Sequence, residues 1–257
     1  YKLTISGFAL NYATPVGLMG GEPYRIMELT PYVGASKATS SVILYVMMHI
    51  FSHICFWLFS IFLYLACYPV DTFLMIVFGI VGLCCSLAIY FFMKGYKNGM
   101  AVRTLRLLGH VPFAKKWAKR FSEEKQETLQ RVDSQIAELH KQRKTTFYAS
   151  LGLEFLARVV GCLEVYFILN VMTDHVSFVA CILIMAFTSL FANLFFFSPM
   201  QLGAREGGFA LSASGLSIPS AFGVYTSLIT RVRELVWIII GVMLMKVGTG
   251  TPNKDKQ

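Results

Sequence analysis

Two segments share one chemically unusual pattern. Pro15-Val16-Gly17-Leu18-Met19-Gly20-Gly21-Glu22 and Pro199-Met200-Gln201-Leu202-Gly203-Ala204-Arg205-Glu206 each run from a proline through a leucine and glycine to a carboxylate seven residues on. An asparagine precedes each, at Asn11 and Asn193, and each leads through a short apolar stretch and a glycine, Gly34 or Gly215, into a long apolar run. Pro and Gly interrupt helices, and the freed backbone N–H and C=O groups are tolerated at membrane depth only against protein or a wet cavity. Both loops are therefore expected to line something polar. Pro23 suits the first position of a new helix, so Tyr24 to Leu29 is expected to open a short helix carrying Glu22, Arg25 and Glu28 at three-residue spacing. Unpaired N–H groups and the positive dipole end of such a half-helix suit an anion, for which a lipid phosphate is a fitting ligand. A plainer role fits the same residues: a capped turn at the interface, with a surface ion pair.

Further charges interrupt the apolar runs. Glu154 and Arg158 are four residues apart, share a helix face and are placed to pair, while Glu164 lies about 80° round from Glu154. Insertion costs roughly 2.5–3.5 kcal/mol for Arg, Lys or Asp at a helix centre, so such groups need partners or water. The helix that carries them reads as a wall of a polar cavity, or else as the seat of a structural ion pair. Arg231 and Glu234 lie about 60° apart on the last run. Arg231 is the better phosphate ligand, because its guanidinium can hold two oxygens in a rigid fork, whereas Arg233 faces elsewhere and is expected to snorkel. His49 and His53 share a face and suit helix packing or a proton relay. The six cysteines, Cys55, Cys67, Cys84, Cys85, Cys162 and Cys181, have no metal-site spacing and read as packing residues.

The elements that must position these groups are membrane helices. Of 257 residues, 56% are hydrophobic and 14% charged, against about 25% charged in an ordinary soluble domain. Five apolar runs reach the ~18–20 residues that span a ~30 Å hydrocarbon core: 41–68, 71–93, 147–171, 176–198 and 217–246. Between Lys94 and Lys144 there are 13 Lys/Arg and five Asp/Glu, which is +8 of the whole chain's +9. The positive-inside rule makes this stretch cytoplasmic. Phe113, Trp117, Phe121, Leu129, Val132, Ile136 and Leu139, interleaved with Lys115, Lys116, Lys119 and Arg120, suit an amphipathic helix on the membrane surface. No base-reading module accompanies the charge, so nucleic acid is not expected as a partner. The chain starts at Tyr1 without a signal-peptide pattern, and one or two preceding helices are expected to be missing.

The doubled loop points to an internal repeat, and duplicated transporters place their sites where repeats meet. The expected architecture is an all-α integral membrane protein, a polytopic helical bundle with an internal repeat and two broken, re-entrant Pro-Gly-Glu segments. It forms a single membrane domain over 1–257. A first repeat covers 1–93 with its re-entrant segment at 11–34; the basic interfacial segment covers 94–146; a second repeat covers 147–247 with its re-entrant segment at 199–216; a polar tail closes at 248–257.

Thr14 through Arg25 with Leu29, and Pro199 through Gly207 with Arg231, resemble the two signatures of the lysylphosphatidylglycerol synthase transmembrane-region family. The likeness spans nearly the whole chain, and the ending Gly203-Ala204-Arg205-Glu206-Gly207 is its more specific part. In that family a lipid flippase domain can be joined to a soluble aminoacyltransferase domain, and relatives without the latter are widespread in bacteria and archaea. The one sizeable polar segment here, about 50 residues long, leaves no room for a transferase within these 257 residues. The resemblance therefore implies lipid translocation in a bacterial or archaeal cytoplasmic membrane. Met200-Gln201-Leu202-Gly203 departs from the more usual Gly-Gly-Leu-Gly, which leaves headgroup specificity open.

Together these readings predict a multi-pass flippase that moves a phosphate-bearing lipid headgroup, phospholipid, aminoacylated or polyprenyl-linked, through a polar groove. Glu22, Arg25, Glu154, Arg158, Arg205, Glu206 and Arg231 form the expected substrate-binding set. No catalytic residue, metal or cofactor is assigned; a membrane lipid with an anionic headgroup is the expected partner, and a homo-oligomer is compatible with the sequence. Two rivals are a membrane-embedded transferase with Glu206 or Glu22 as base, for which no nucleophile-base-orienter set is present, and a structural membrane subunit.

Overall fold

The computed structural model describes residues 1–13, 20–98, 134, 144–173, 175–195 and 201–246. The loop residues 14–19, Pro199 and Met200, nearly all of the basic amphipathic stretch including Lys115, Trp117 and Phe121, and the tail 248–257 lie outside the described residues. Among the described residues the structure is all-α without strands: α1 (Lys2–Ala13), α2 (Gly21–Val33), α3 (Ala35–Cys67), α4 (Thr72–Asn98), α5 (Lys144–Met172), α6 (Phe178–Leu194), α7 (Ala204–Gly215) and α8 (Ser220–Lys246).

Three stretches, Ala35–Cys67, Thr72–Lys94 and Thr145–Met172, are long and apolar enough to cross a membrane. The fourth expected run forms a helix of only 17 residues, about 26 Å long. The fifth, α8, has 27 residues, or about 40 Å, but Arg231, Arg233 and Glu234 dilute its hydropathy. Its side-chain distribution is nevertheless that of a helix in lipid. The buried positions are Gly223, Thr226, Ser227, Thr230, Glu234 and Gly241, all small or polar, whereas Val232, Val236, Ile239 and Met243 are exposed. Water would drive those apolar groups inward; hydrocarbon exerts no such drive, and small residues then let helix backbones approach closely.

The chain divides into two units, Tyr1–Glu28 with Phe59–Asp71 and Leu156–Gln257, and Leu29–Leu58 with Thr72–Phe155. In the first unit, Val165, Leu169, Val176, Ala180, Cys181, Ile184 and Phe209 bring α5, α6 and α7 together in one apolar cluster. The Asn170 side chain ties the α5–α6 turn by donating to the Val176 carbonyl at 3.1 Å and accepting from its N–H at 3.2 Å. Helix α8 packs on both α1 and α7. A Cβ at Gly241 would collide with Ile5 and Ala9 of α1, and one at Gly223 would collide with the Phe209 backbone of α7. Ser6 donates to the Gly241 carbonyl at 3.0 Å across the first of these approaches. In the second unit, Met47, Met48, Phe51, Phe92 and Phe147 form the core, with the Phe51 and Phe92 rings stacked at 4.2 Å.

Helix order is alike around the two loops. A helix (α1 or α6), the loop, a short helix (α2 or α7) and a sharp connection lead into a long helix (α3 or α8). The connections are made by Gly34, with φ +81°, and by Ser217, with φ 61°. At 13 and 12 residues, α2 and α7 are about 18–20 Å long, short of the ~30 Å core. Helix α2 starts at Gly21, three residues before the expected start at Tyr24. Pro23 is still accommodated in the first turn, where a proline forfeits no helical hydrogen bond.

Candidate functional site

The conspicuous charges of the first unit converge where α7 meets α8. Glu206 sits in the first turn of α7, and its Oε2 accepts the Gly203 N–H at 2.7 Å. Glu206 Oε1 takes the Arg231 Nε, and Arg231 Nη2 also donates to the Gln201 carbonyl at 3.3 Å. The neighbouring Arg205 reaches α8 in its turn: Nη1 donates to Glu234 Oε1 at 2.5 Å and Nη2 to Thr230 Oγ1 at 3.2 Å. Two consecutive residues of opposite sign on α7 thus face two residues one turn apart on α8, and the pairs are reciprocal. Tyr12 of α1 donates to the same Glu234 Oε1 at 3.5 Å. Arg233 completes the set, with Nε 2.9 Å from Glu164 Oε1 of α5 and Nη2 3.8 Å from Glu234 Oε1.

Arg205, Glu234, Arg233 and Glu164 are linked in one network, the Arg231–Glu206 pair stands beside it on the same two helices, and the six formal charges cancel. It lies at the middle of α8, where an unpaired charge is most expensive in hydrocarbon. Exposure is graded along it: the Glu234 side chain is 7% exposed and that of Arg205 12%, while Glu164 reaches 27% and Arg233 51%. Burial removes water from the inner pair, so the attraction there is strong; at Arg233 solvent competes.

A second cluster joins α1 to α2. The Asn11 amide donates to Glu22 Oε1 at 3.0 Å, and its Oδ1 accepts the Gly21 N–H at 2.7 Å. Arg25, buried one turn along α2, has Nη1 3.5 Å from Glu22 Oε1. Its guanidinium lies against Gly7, where any Cβ would occupy the same space. Glu22 Oε2 is buried with no hydrogen-bond donor among the described residues.

This geometry corrects several expectations. The starts of α2 and α7 do not present wholly unpaired N–H groups, because Asn11 caps one and Glu206 the other. The expected arginines each lie beside a carboxylate: Arg205 is paired with Glu234 and Arg231 with Glu206, and Arg25 Nη1 is 3.5 Å from Glu22 Oε1. Arg233, expected to snorkel, is half-exposed and has Glu164 Oε1 2.9 Å from its Nε. Glu154 Oε2 also lies 3.4 Å from His49 Nδ1, and the Arg158 carbonyl accepts from Cys162 Sγ at 3.3 Å. His49 also packs edge-on to His53, ring centroids 5.1 Å apart. Sequence reasoning missed Glu234 as a centre, together with Tyr12, and noted Asn11 only as part of the repeated pattern. A carboxylate inside an apolar run, three residues beyond Arg231, was the available signal for the first; nothing local flagged Tyr12. Among the described residues no group of three or more His, Cys, Asp or Glu could hold a metal.

Comparison with known proteins bears on nearly the whole chain. The family model described as Lysylphosphatidylglycerol synthase TM region matches residues 1–241. No curated protein and no solved structure matches.

Proposed function

The chain belongs to the lysylphosphatidylglycerol synthase transmembrane-region family, and on that premise we propose that it carries a phosphate-bearing lipid headgroup across the membrane. Membership gives a multi-pass membrane protein concerned with lipid; the substrate and the route are our reading. The observation that carries it is the charge-balanced network at the middle of α8, graded from the buried Arg205–Glu234 pair to the half-exposed Arg233.

A phosphate crossing hydrocarbon unaided loses its hydration at a cost of many kcal/mol. Against this network it exchanges one ionic partner for another. As phosphate oxygens take the guanidinium of Arg205 or Arg231, Glu234 or Glu206 is released and is balanced by the other arginines or by an amine on the headgroup. Arginine suits the task because its planar fork holds two oxygens and stays charged at every relevant pH. Arg25 and Glu22 offer the same exchange at the equivalent position of the first loop, and Glu154 and Arg158 add charge along α5. The acyl chains stay in lipid while the headgroup moves, and alternating exposure of the network to each leaflet carries one headgroup across at a time, with any net direction set by an ion gradient or by consumption on the far side.

The test is leaflet exchange of headgroup-labelled phospholipid in proteoliposomes. An Arg205→Ala, Glu206→Ala double variant that retains the helical circular dichroism of the wild type is expected to lose at least nine-tenths of the protein-dependent rate. Undiminished exchange would reduce the network to a helix fastener. Chemical modification of the lipid without exchange would instead favour a transferase.

A further inference from the structure

The three arginines of the network differ in how fully protein engages them. Arg205 is held by Glu234 and Thr230, and Arg231 by Glu206 and the Gln201 carbonyl. Arg233 is held at Nε by Glu164, 2.9 Å away, and only loosely at Nη2, 3.8 Å from Glu234. Its Nη1 has no partner among the described residues, and half of its side chain is exposed. A guanidinium carries five N–H donors in a fixed plane, so fastening Nε to one carboxylate leaves the opposite edge turned away from that carboxylate.

From this geometry we infer that Arg233 is the capture group for the phosphate of a lipid headgroup, and that Glu164 is the positioning residue that aims its Nη1/Nη2 edge; the inference rests on the translocation reading above. An arginine at the middle of a membrane helix needs an anion or water, and a phosphate supplies two oxygens at the spacing the fork requires. Capture there places the phosphate beside Glu234, whose Oε1 already collects Arg205, Tyr12 and Arg233. Handing the phosphate inward to Arg205 then requires only that Glu234 transfer its contact from Arg205 to Arg233. Lysine at position 233 would keep the charge but lose the fork, which separates bidentate capture from simple attraction.

The test pairs a binding and a transport measurement on full-length protein, with Arg233→Lys, Arg233→Gln and Glu164→Gln. Binding uses short-chain phosphatidylglycerol, inorganic phosphate and a phosphate-free diacylglycerol. Both Arg233 variants are expected to weaken phosphatidylglycerol binding about tenfold and to raise the half-saturating mole fraction in exchange by a similar factor, with the maximal rate nearly kept. Glu164→Gln is expected to fall between them and wild type, and diacylglycerol is expected not to bind. Wild-type affinity in Arg233→Lys overturns bidentate capture, and wild-type affinity in Arg233→Gln overturns the site altogether. Equal affinity for inorganic phosphate would make the ligand a free anion and overturn the headgroup assignment. Should the wild type exchange no lipid yet bind phosphatidylglycerol in an Arg233-dependent way, translocation fails while the capture site stands.

Discussion

At the scale of single residues, Glu234 is the pivot. Its Oε1 receives Arg205 and Tyr12 and lies near Arg233, and its side chain is the most buried of the network. Removing one partner of a buried ion pair strands the other charge, at a cost of about 3–5 kcal/mol. Arg205→Ala is therefore expected to lower resistance to denaturant in detergent by that order. A loss below about 1 kcal/mol would show that Arg205 and Glu234 are solvated rather than mutually dependent. Arg233→Gln is expected to cost under about 1 kcal/mol in the same titration, because its pair with Glu164 is half-exposed. Arg205, Glu206 and Arg231 were legible in the sequence, since charges in apolar runs are conspicuous. Their pairing was not legible. Helical spacing gave the angle between Arg231 and Glu234 on their own helix, but which α7 residue met each depends on how two helices cross. Arg233 read as a snorkelling side chain for a related reason: its partner, Glu164, lies far back along the chain on α5.

At the scale of elements, close helix approach holds the site. Gly241 admits Ile5 and Ala9 of α1 against α8, which places Tyr12 within reach of Glu234. Gly241→Leu is expected to force α1 from α8 and to destabilise the protein by about 1–3 kcal/mol. Gly152→Leu is the control, since a Cβ at that position would meet nothing within 4 Å, and it should be nearly neutral in the same thermal unfolding assay. Equal behaviour of the two would contradict the packing role of Gly241. The helices themselves were largely readable from apolar runs, but their limits shifted. Helix α2 opens at Gly21 because Asn11, from the preceding helix, supplies its cap, a tertiary contact that local spacing does not encode. The run at 176–198 shortened to Phe178–Leu194, and α8 proved apolar only on its outward face.

For the whole molecule, family membership and an inside-out distribution of apolar side chains place the protein in a membrane and among lipid-handling proteins, and the proposed cargo follows from the network's chemistry. Both were open to sequence reading, because hydropathy and the Gly203-Ala204-Arg205-Glu206-Gly207 signature are local. The balance of charge was not, because it emerges only when α1, α5, α7 and α8 contribute to one site. The most direct measurement is the rate at which purified wild-type protein, reconstituted in sealed vesicles, moves headgroup-labelled phosphatidylglycerol between leaflets, compared with a neutral diacylglycerol glycolipid and with protein-free vesicles. Phosphatidylglycerol exchange is expected at least tenfold above the protein-free rate, with little acceleration of the neutral lipid. A phosphatidylglycerol rate equal to that of empty vesicles, or equal acceleration of both lipids, would contradict it.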